Sequence, residues 1–264
     1  MGQPGNGAAV IICPAAGRDA RWTYRSLFQW AETLSAQGYQ VLRYDHPGEG
    51  DSAPLDVDQD QWSQWLEALE SAAAFMRLRL GVSQVFICGL RAGATLACVA
   101  SAKIKPDGLI LWDPFASGSV WLKELSLAQA MQTSPHVSDA IETNGLTLNA
   151  ATVKTLRTVH IPDLATEWPP ILLASPVATK SLVATFGDQV ESIRFTGYTN
   201  LFKDAHVNSP PTEVFASSLS WLDKHVRAPV ASVTPIAPAR SAEKIHSNLW
   251  REEPVFFGNG LRGI

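Results

Sequence analysis

Val85-Phe-Ile-Cys-Gly89-Leu-Arg91-Ala-Gly93-Ala-Thr-Leu-Ala97 is the stretch on which the reading of this chain turns. An apolar β-type run ends at a glycine, and an alanine-rich segment of strong helix formers begins at Ala92. The pattern is strand, tight turn, helix. Glycines stand at 89 and 93, on either side of a turn too tight for side chains at both flanks. At its apex is Arg91.

Outward from this turn, short β-type runs alternate with helical segments. That alternation predicts an α/β fold with a mostly parallel sheet and helices on both faces. Residues 8–13 (AAVIIC) read as a fully buried strand, and 22–37 as an amphipathic helix with Leu27, Trp30, Ala31 and Leu34 on one side. Residues 40–44 (QVLRY) form a second strand, followed by the turn-rich Asp45-His-Pro-Gly-Glu-Gly-Asp-Ser52. A strong helix spans 61–80, with Trp62 and Trp65 read as core. Strands follow at 84–88 and 108–112, with a helix at 92–102 between them. Weaker strands at 171–174 and 192–195 and a closing helix at 210–226 complete the sheet.

These elements define a core over residues 1–115 plus 169–226. Residues 116–168 are an inserted cap, mixed but mainly helical, above the carboxyl ends of the strands, where open α/β sheets bind ligands. The insertion is either a lid or a packing appendage. The Pro- and Ala-rich residues 227–246 read as a linker. Residues 247–264 read as a β-type tail with a hairpin signal around Gly258-Asn-Gly260. The tail is expected to complete a sheet edge, within the chain or by swapping into a homo-oligomer.

The bulk properties narrow the function classes. With 264 residues, 46% apolar and 17% charged, the chain buries enough surface to fold, which excludes wholesale disorder. A net charge of −4, with no basic stripe, gives no general attraction to nucleic acid or anionic membrane. Cys13, Cys88 and Cys98 match neither a disulfide framework nor a metal site. His46, His136, His160, His225 and His246 show no ligand spacing. Neither metal nor cofactor is expected. Residues 1–7 lack the pattern of a signal peptide, and no apolar run approaches the length of a bilayer span, so the expected compartment is the cytoplasm.

Gly89-Leu-Arg91-Ala-Gly93 has the context of the nucleophile elbow G-x-S-x-G, with arginine in the serine position. Three further stretches fit the same pattern: Gly38 to Ser52, Leu109-Ile-Leu-Trp-Asp-Pro-Phe115, and Asn144 to Thr152. On these residues the chain resembles the α/β-hydrolase superfamily over about residues 8–226. More narrowly, it resembles bacterial exosortase A system-associated hydrolases related to the serine aminopeptidase group, some of which carry Arg in the elbow. The resemblance implies a setting in polysaccharide or lipid metabolism. It also places a triad histidine at His206 and an acid near Asp113. The usual acid site after the strand at 171–174 reads Ser175-Pro-Val-Ala-Thr-Lys180, without a carboxylate.

A guanidinium stays protonated in a protein and cannot accept an acyl group, so serine-type chemistry from position 91 is excluded. At a helix N-terminus it instead suits an anion. Two readings stay open: a ligand carboxylate, phosphate or sulfate, or an internal pair with Asp113 or Glu49. Leu90, Ala92, Ala15 and Ala16 are expected to border the ligand. The leading expectation is therefore a hydrolase-like protein that binds a small anionic or acyl-type ligand. The alternatives are an active esterase, thioesterase or acyltransferase using His206 and water, and a non-catalytic assembly partner. Ser117 and Ser119 are candidate displaced nucleophiles with nothing nearby to support them.

Overall fold

The computed structural model describes residues 7–52, 54–55, 59–132, 140–143, 145–164, 167–204 and 206–227, with four short strand segments between 245 and 263. The core runs β1 (Ala8–Cys13), α1 (Arg18–Ala36), β2 (Gln40–Arg43), α2 (Gln61–Leu80), β3 (Gln84–Leu90), α3 (Ala92–Ile104) and β4 (Gly108–Trp112). The insertion holds α4 (Gly118–Gln132), β5 (Ile141–Thr143), β6 (Leu146–Leu148) and α5 (Ala150–Leu156). Then come β7 (Ile171–Ser175), α6 (Lys180–Phe186), β8 (Val190–Arg194), α7 (Tyr198–Leu201) and α8 (Thr212–His225).

Six strands form one parallel sheet in the order β2-β1-β3-β4-β7-β8. Every residue of β1, β3, β4 and β7 is buried. These strands are apolar throughout because both of their faces are covered by helices. The chain leaves β1 toward β2 and then crosses to β3 on the other side, so the winding reverses between β1 and β3. Open α/β sheets bind ligands at the carboxyl ends of the strands beside such a reversal.

Two apolar layers sandwich the sheet. One packs α2, α3 and the insertion against it, with Trp62, Trp65 and Trp121 side by side; Trp62 and Trp65 are core, as read from the sequence. The other packs α1, α7 and α8, with Trp30, Trp112 and Phe215 in mutual ring contact.

The insertion shares the first layer through Ile141, Leu146, Leu148, Val153 and Leu156. Polar ties fasten it: the Gln61 side chain donates to Thr147 O at 2.8 Å, and the Thr152 hydroxyl accepts the Gln61 N–H at 2.8 Å. Asn149 caps α5 by accepting the Thr152 N–H.

Some boundaries differ from the sequence reading. Helix α1 starts at Arg18 rather than 22, because its first turn is mostly charged and carries no apolar periodicity. Strand β8 starts at Val190 and is largely exposed, as suits an edge. The insertion contains the antiparallel pair β5–β6 besides its helices.

In the tail, β9 (Ile245–His246) pairs with β10 (Arg251–Glu252), and β11 (Val255–Phe257) with β12 (Leu261–Gly263), each as its own antiparallel sheet. Most of the expected linker lies outside the described residues. Among the described residues no helix is long and apolar enough to cross a membrane.

Candidate functional site at the β3–α3 turn

Leu90 and Trp112 are register partners on neighbouring strands, so the residues that follow them, Arg91 and Asp113, leave the sheet side by side. The Arg91 N–H donates to Trp112 O at 2.8 Å, and the Asp113 N–H to Ala174 O at 2.8 Å. Both residues hold a positive φ, 53° in each case. For residues with a Cβ this conformation costs about 1–3 kcal/mol and persists only where the surroundings enforce it. Around Arg91 the flanking glycines permit it. A Cβ on Gly93 would lie 2.2 Å from Pro14 O, and one on Gly89 2.5 Å from Ala94 Cα.

The Arg91 guanidinium is surrounded by internal partners. Nε donates to Asp19 Oδ2 at 3.2 Å, Nη1 to Asp113 Oδ2 at 3.0 Å and to Tyr198 Oη at 2.8 Å, and Nη2 to Glu124 Oε1. Tyr198 in turn donates to Asp113 Oδ2 at 2.6 Å. The guanidinium carbon stands 4.5 Å from the ring centre of Phe115 and 5.7 Å from that of Phe202. Phe115 is itself fixed through Thr95, whose hydroxyl accepts the Phe115 N–H and donates to Phe115 O. Four elements thus meet on one side chain: α1 through Asp19, the end of β4 through Asp113, α4 through Glu124, and α7 through Tyr198.

Charge explains the protonation states. Burial works against the Arg91 cation, but Tyr198, Asp19, Glu124 and Asp113 outweigh it and hold the proton above the ordinary arginine range. Burial pushes the Tyr198 phenol up and keeps it a neutral donor. Burial also raises the Glu124 carboxyl, and neighbouring Asp19 and Asp113 add to the rise against the pull of Arg91. One cation faces three carboxylates, so the cluster carries surplus negative charge. Glu124 is its most exposed member, at 48% of its side-chain surface against 12% for Arg91.

Of the two internal partners expected for Arg91, Asp113 is present and Glu49 is not. Glu49 instead accepts the Gly17 N–H at 2.7 Å, which ties the Asp45–Ser52 loop to the start of α1. His206 is exposed, and its backbone N–H donates to Asp204 Oδ1 at 3.0 Å. Among the described residues its ring makes no hydrogen bond to Asp113, whose Oδ2 is taken by Arg91 and Tyr198. Leu90, Ala92, Ala15 and Ala16 are all buried at the ends of β1 and β3. The Ser117 hydroxyl accepts the Val120 N–H at the start of α4. Among the described residues no group of His, Cys, Asp and Glu is arranged to hold a metal ion.

Asp19, Glu124 and Tyr198 escaped the sequence reading. Asp19 had one available signal, an acid in the first turn of the helix after β1. The other two lie 33 and 107 positions from Arg91, with no local motif.

A parallel sheet wound around a strand–turn–helix elbow defines an α/β-hydrolase superfamily protein. The serine aminopeptidase, S33 family (Hydrolase_4) matches residues 7–160, more than half of the chain, and the chain belongs to that family. Solved structures agree on the fold. Est1E from Butyrivibrio proteoclasticus, solved also with ferulic acid bound, superposes with a TM-score of 0.60 at 17% identity, over 85% of this chain and 90% of its own. XC6422 from Xanthomonas campestris, described as an α/β serine hydrolase without lid, gives 0.54 at 13% identity, over 86% and 88%. No curated relative matches the sequence.

Proposed function

We propose that this chain is a non-hydrolytic member of its family, in which the elbow is an ion-pair clasp and any elbow ligand is bound rather than turned over. The observation that carries this reading is the occupancy of the Arg91 guanidinium by Asp19, Asp113, Glu124 and Tyr198. No attacking oxygen stands at the apex, and the acid nearest to it is engaged with Tyr198 and Arg91 rather than with a histidine. Loss of triad members typically lowers rates about 10⁴–10⁶-fold.

The small anionic or acyl-type ligand expected at the elbow enters, in this reading, by exchange with Glu124. That carboxylate is half-exposed, sits on the insertion, and gains hydration when it leaves. The proposed compartment is a reducing cytoplasm, where Cys13, Cys88 and Cys98 stay as buried free thiols.

A panel of nitrophenyl esters and acyl thioesters tests the reading, with His206→Ala alongside the wild type. The expected outcome is no turnover above buffer in either protein. Turnover that disappears in His206→Ala would establish a water-based esterase and overturn the proposal.

A further inference from the structure

A second buried guanidinium lies outside the elbow. Arg43, the last residue of β2, is nine-tenths buried. Its Nη1 is shielded from solvent and has no hydrogen-bond partner among the described residues. The group lies over two rings, 4.7 Å from the centre of Tyr24 and 5.2 Å from that of Phe28. Aromatic faces attract a cation but leave the in-plane N–H donors unpaired. Among the described residues no carboxylate stands within ion-pairing distance of it.

Arg43 borders a cleft of about 460 Å³ at the carboxyl ends of β1 and β2. That volume suits a small molecule. None of Arg91, Asp113, Glu124 and Tyr198 lines it. Glu49 does, with Oε1 accepting the Gly17 N–H, and so does Arg21. Tyr24, about half-exposed, and Leu27 form apolar wall. The cleft therefore combines two guanidinium groups, Arg21 and Arg43, with the Glu49 carboxyl and an aromatic surface.

We propose that this cleft binds a small hydroxycarboxylate, with its carboxylate on Arg43, a hydroxyl hydrogen-bonded to Glu49, and its carbon skeleton against Tyr24 and Leu27. The guanidinium fork matches a carboxylate in geometry and charge. A hydroxyl donates to the Glu49 carboxylate or accepts from its protonated form, which the hydrocarbon chain of a plain fatty acid cannot do. A polyanion would meet Asp45 and Asp51 as well as Glu49 in the same cleft. Two cations, Arg21 and Arg43, face these three acids, so the cleft suits a single negative charge.

Isothermal titration of the full chain with D-gluconate and L-lactate tests this, with hexanoate (no hydroxyl) and mannitol (no carboxylate) as comparisons. At least one hydroxycarboxylate is expected to bind saturably and more tightly than both comparison compounds. Arg43→Gln should weaken that binding about 10- to 100-fold, as expected for loss of a charge-assisted hydrogen bond. Glu124→Gln, at the elbow, should leave it unchanged, which separates this site from the elbow reading. Should thermal scans show Arg43→Gln unfolded, Tyr24→Ala on the half-exposed wall must weaken binding severalfold instead. Absence of saturable binding, equal binding of mannitol, or an affinity insensitive to the cleft variants overturns the proposal.

Discussion

Two arginines stand at the carboxyl ends of β2 and β3, the strands on either side of β1, and their surroundings are opposite. Arg91, after β3, donates to three carboxylates and a tyrosine. Arg43, at the end of β2, rests between two aromatic rings with an N–H group unpaired. Burying a guanidinium carries a large desolvation cost in both places. At Arg91 internal acids offset that cost, so the side chain works as a brace between elements. At Arg43 the protein supplies only ring faces and leaves the directional bonding capacity for something else. Position in a superfamily motif therefore marks the elbow as the site, whereas a buried cation without an acid partner among the described residues marks the cleft.

The largest expected effect comes from removing the brace. Arg91→Met strips the counter-charge from Asp19, Asp113 and Glu124, the first two at 20% and 15% side-chain exposure. Breaking such a pair from one side costs about 3–5 kcal/mol. Urea unfolding monitored by tryptophan fluorescence should show that loss at pH 7. It should shrink as the acids protonate at lower pH. A loss below about 1 kcal/mol would mean that the clasp does not hold the fold together, and the contrast with Arg43 would collapse.

The next effect is a dependence of stability on pH. Burial raises the Glu49 carboxyl from 4.5 to about 7; Asp45 adds to the rise, while the Gly17 N–H and Arg21 oppose it. The folded state thus holds this proton more tightly than the unfolded chain does. The stability contributed by Glu49 is complete below pH 4.5 and is lost as pH climbs to about 7. Linkage puts the loss at roughly 2–3 kcal/mol, allowing for partial exposure. Glu49→Gln keeps an oxygen for the Gly17 N–H and removes the titration. The wild-type-minus-variant stability should therefore fall across that window, and a flat difference would refute the shift.

How much of this was legible from residues alone follows from where each signal resides. The strands AAVIIC and GLILW carry their burial on both faces in composition. The elbow declares itself because Gly89 and Gly93 are forced by backbone contacts to Ala94 and Pro14. The insertion shows only as a break in the alternation of elements between β4 and β7. The partners of Arg91 were not legible. Asp19, Glu124 and Tyr198 converge through three different connections, and an acid on a helix surface looks the same whether it meets solvent or a guanidinium. Glu49 was misassigned for the same reason: charge complementarity offered it to Arg91, but the loop turns it onto the Gly17 amide. The unpaired state of Arg43 was invisible too, because QVLRY reads as an ordinary strand until Tyr24 and Phe28 of α1 lie on its last side chain but one.

A smaller change is expected at Arg43 itself. Arg43→Met keeps an unbranched apolar stem against Tyr24 and Phe28 while deleting a buried donor that has no partner. Loss of the ring attraction and relief of the unpaired N–H oppose each other, each on the order of 1–2 kcal/mol. Net stability should stay within about 1 kcal/mol of wild type by urea unfolding. Destabilisation near that of Arg91→Met would reveal a structural partner for this cation and remove the asymmetry between the two sites.

The smallest effect belongs to Glu124→Gln. Although Glu124 touches the same guanidinium as Asp113, about half of its side-chain surface is in water, against 15% for Asp113. Exposed ion pairs are worth about 0–1 kcal/mol, and salt screens them. Glu124→Gln should therefore lower stability by less than about 1 kcal/mol, and the deficit should fade toward 0.5 M salt. Asp113→Asn in parallel should cost more and keep its deficit in salt, because the remaining contacts of Asp113 lie inside the protein. If the two variants prove equal, the insertion grips the elbow as firmly as the core does. Glu124 could then not give way to an entering anion, and ligand exchange at the elbow would be closed off.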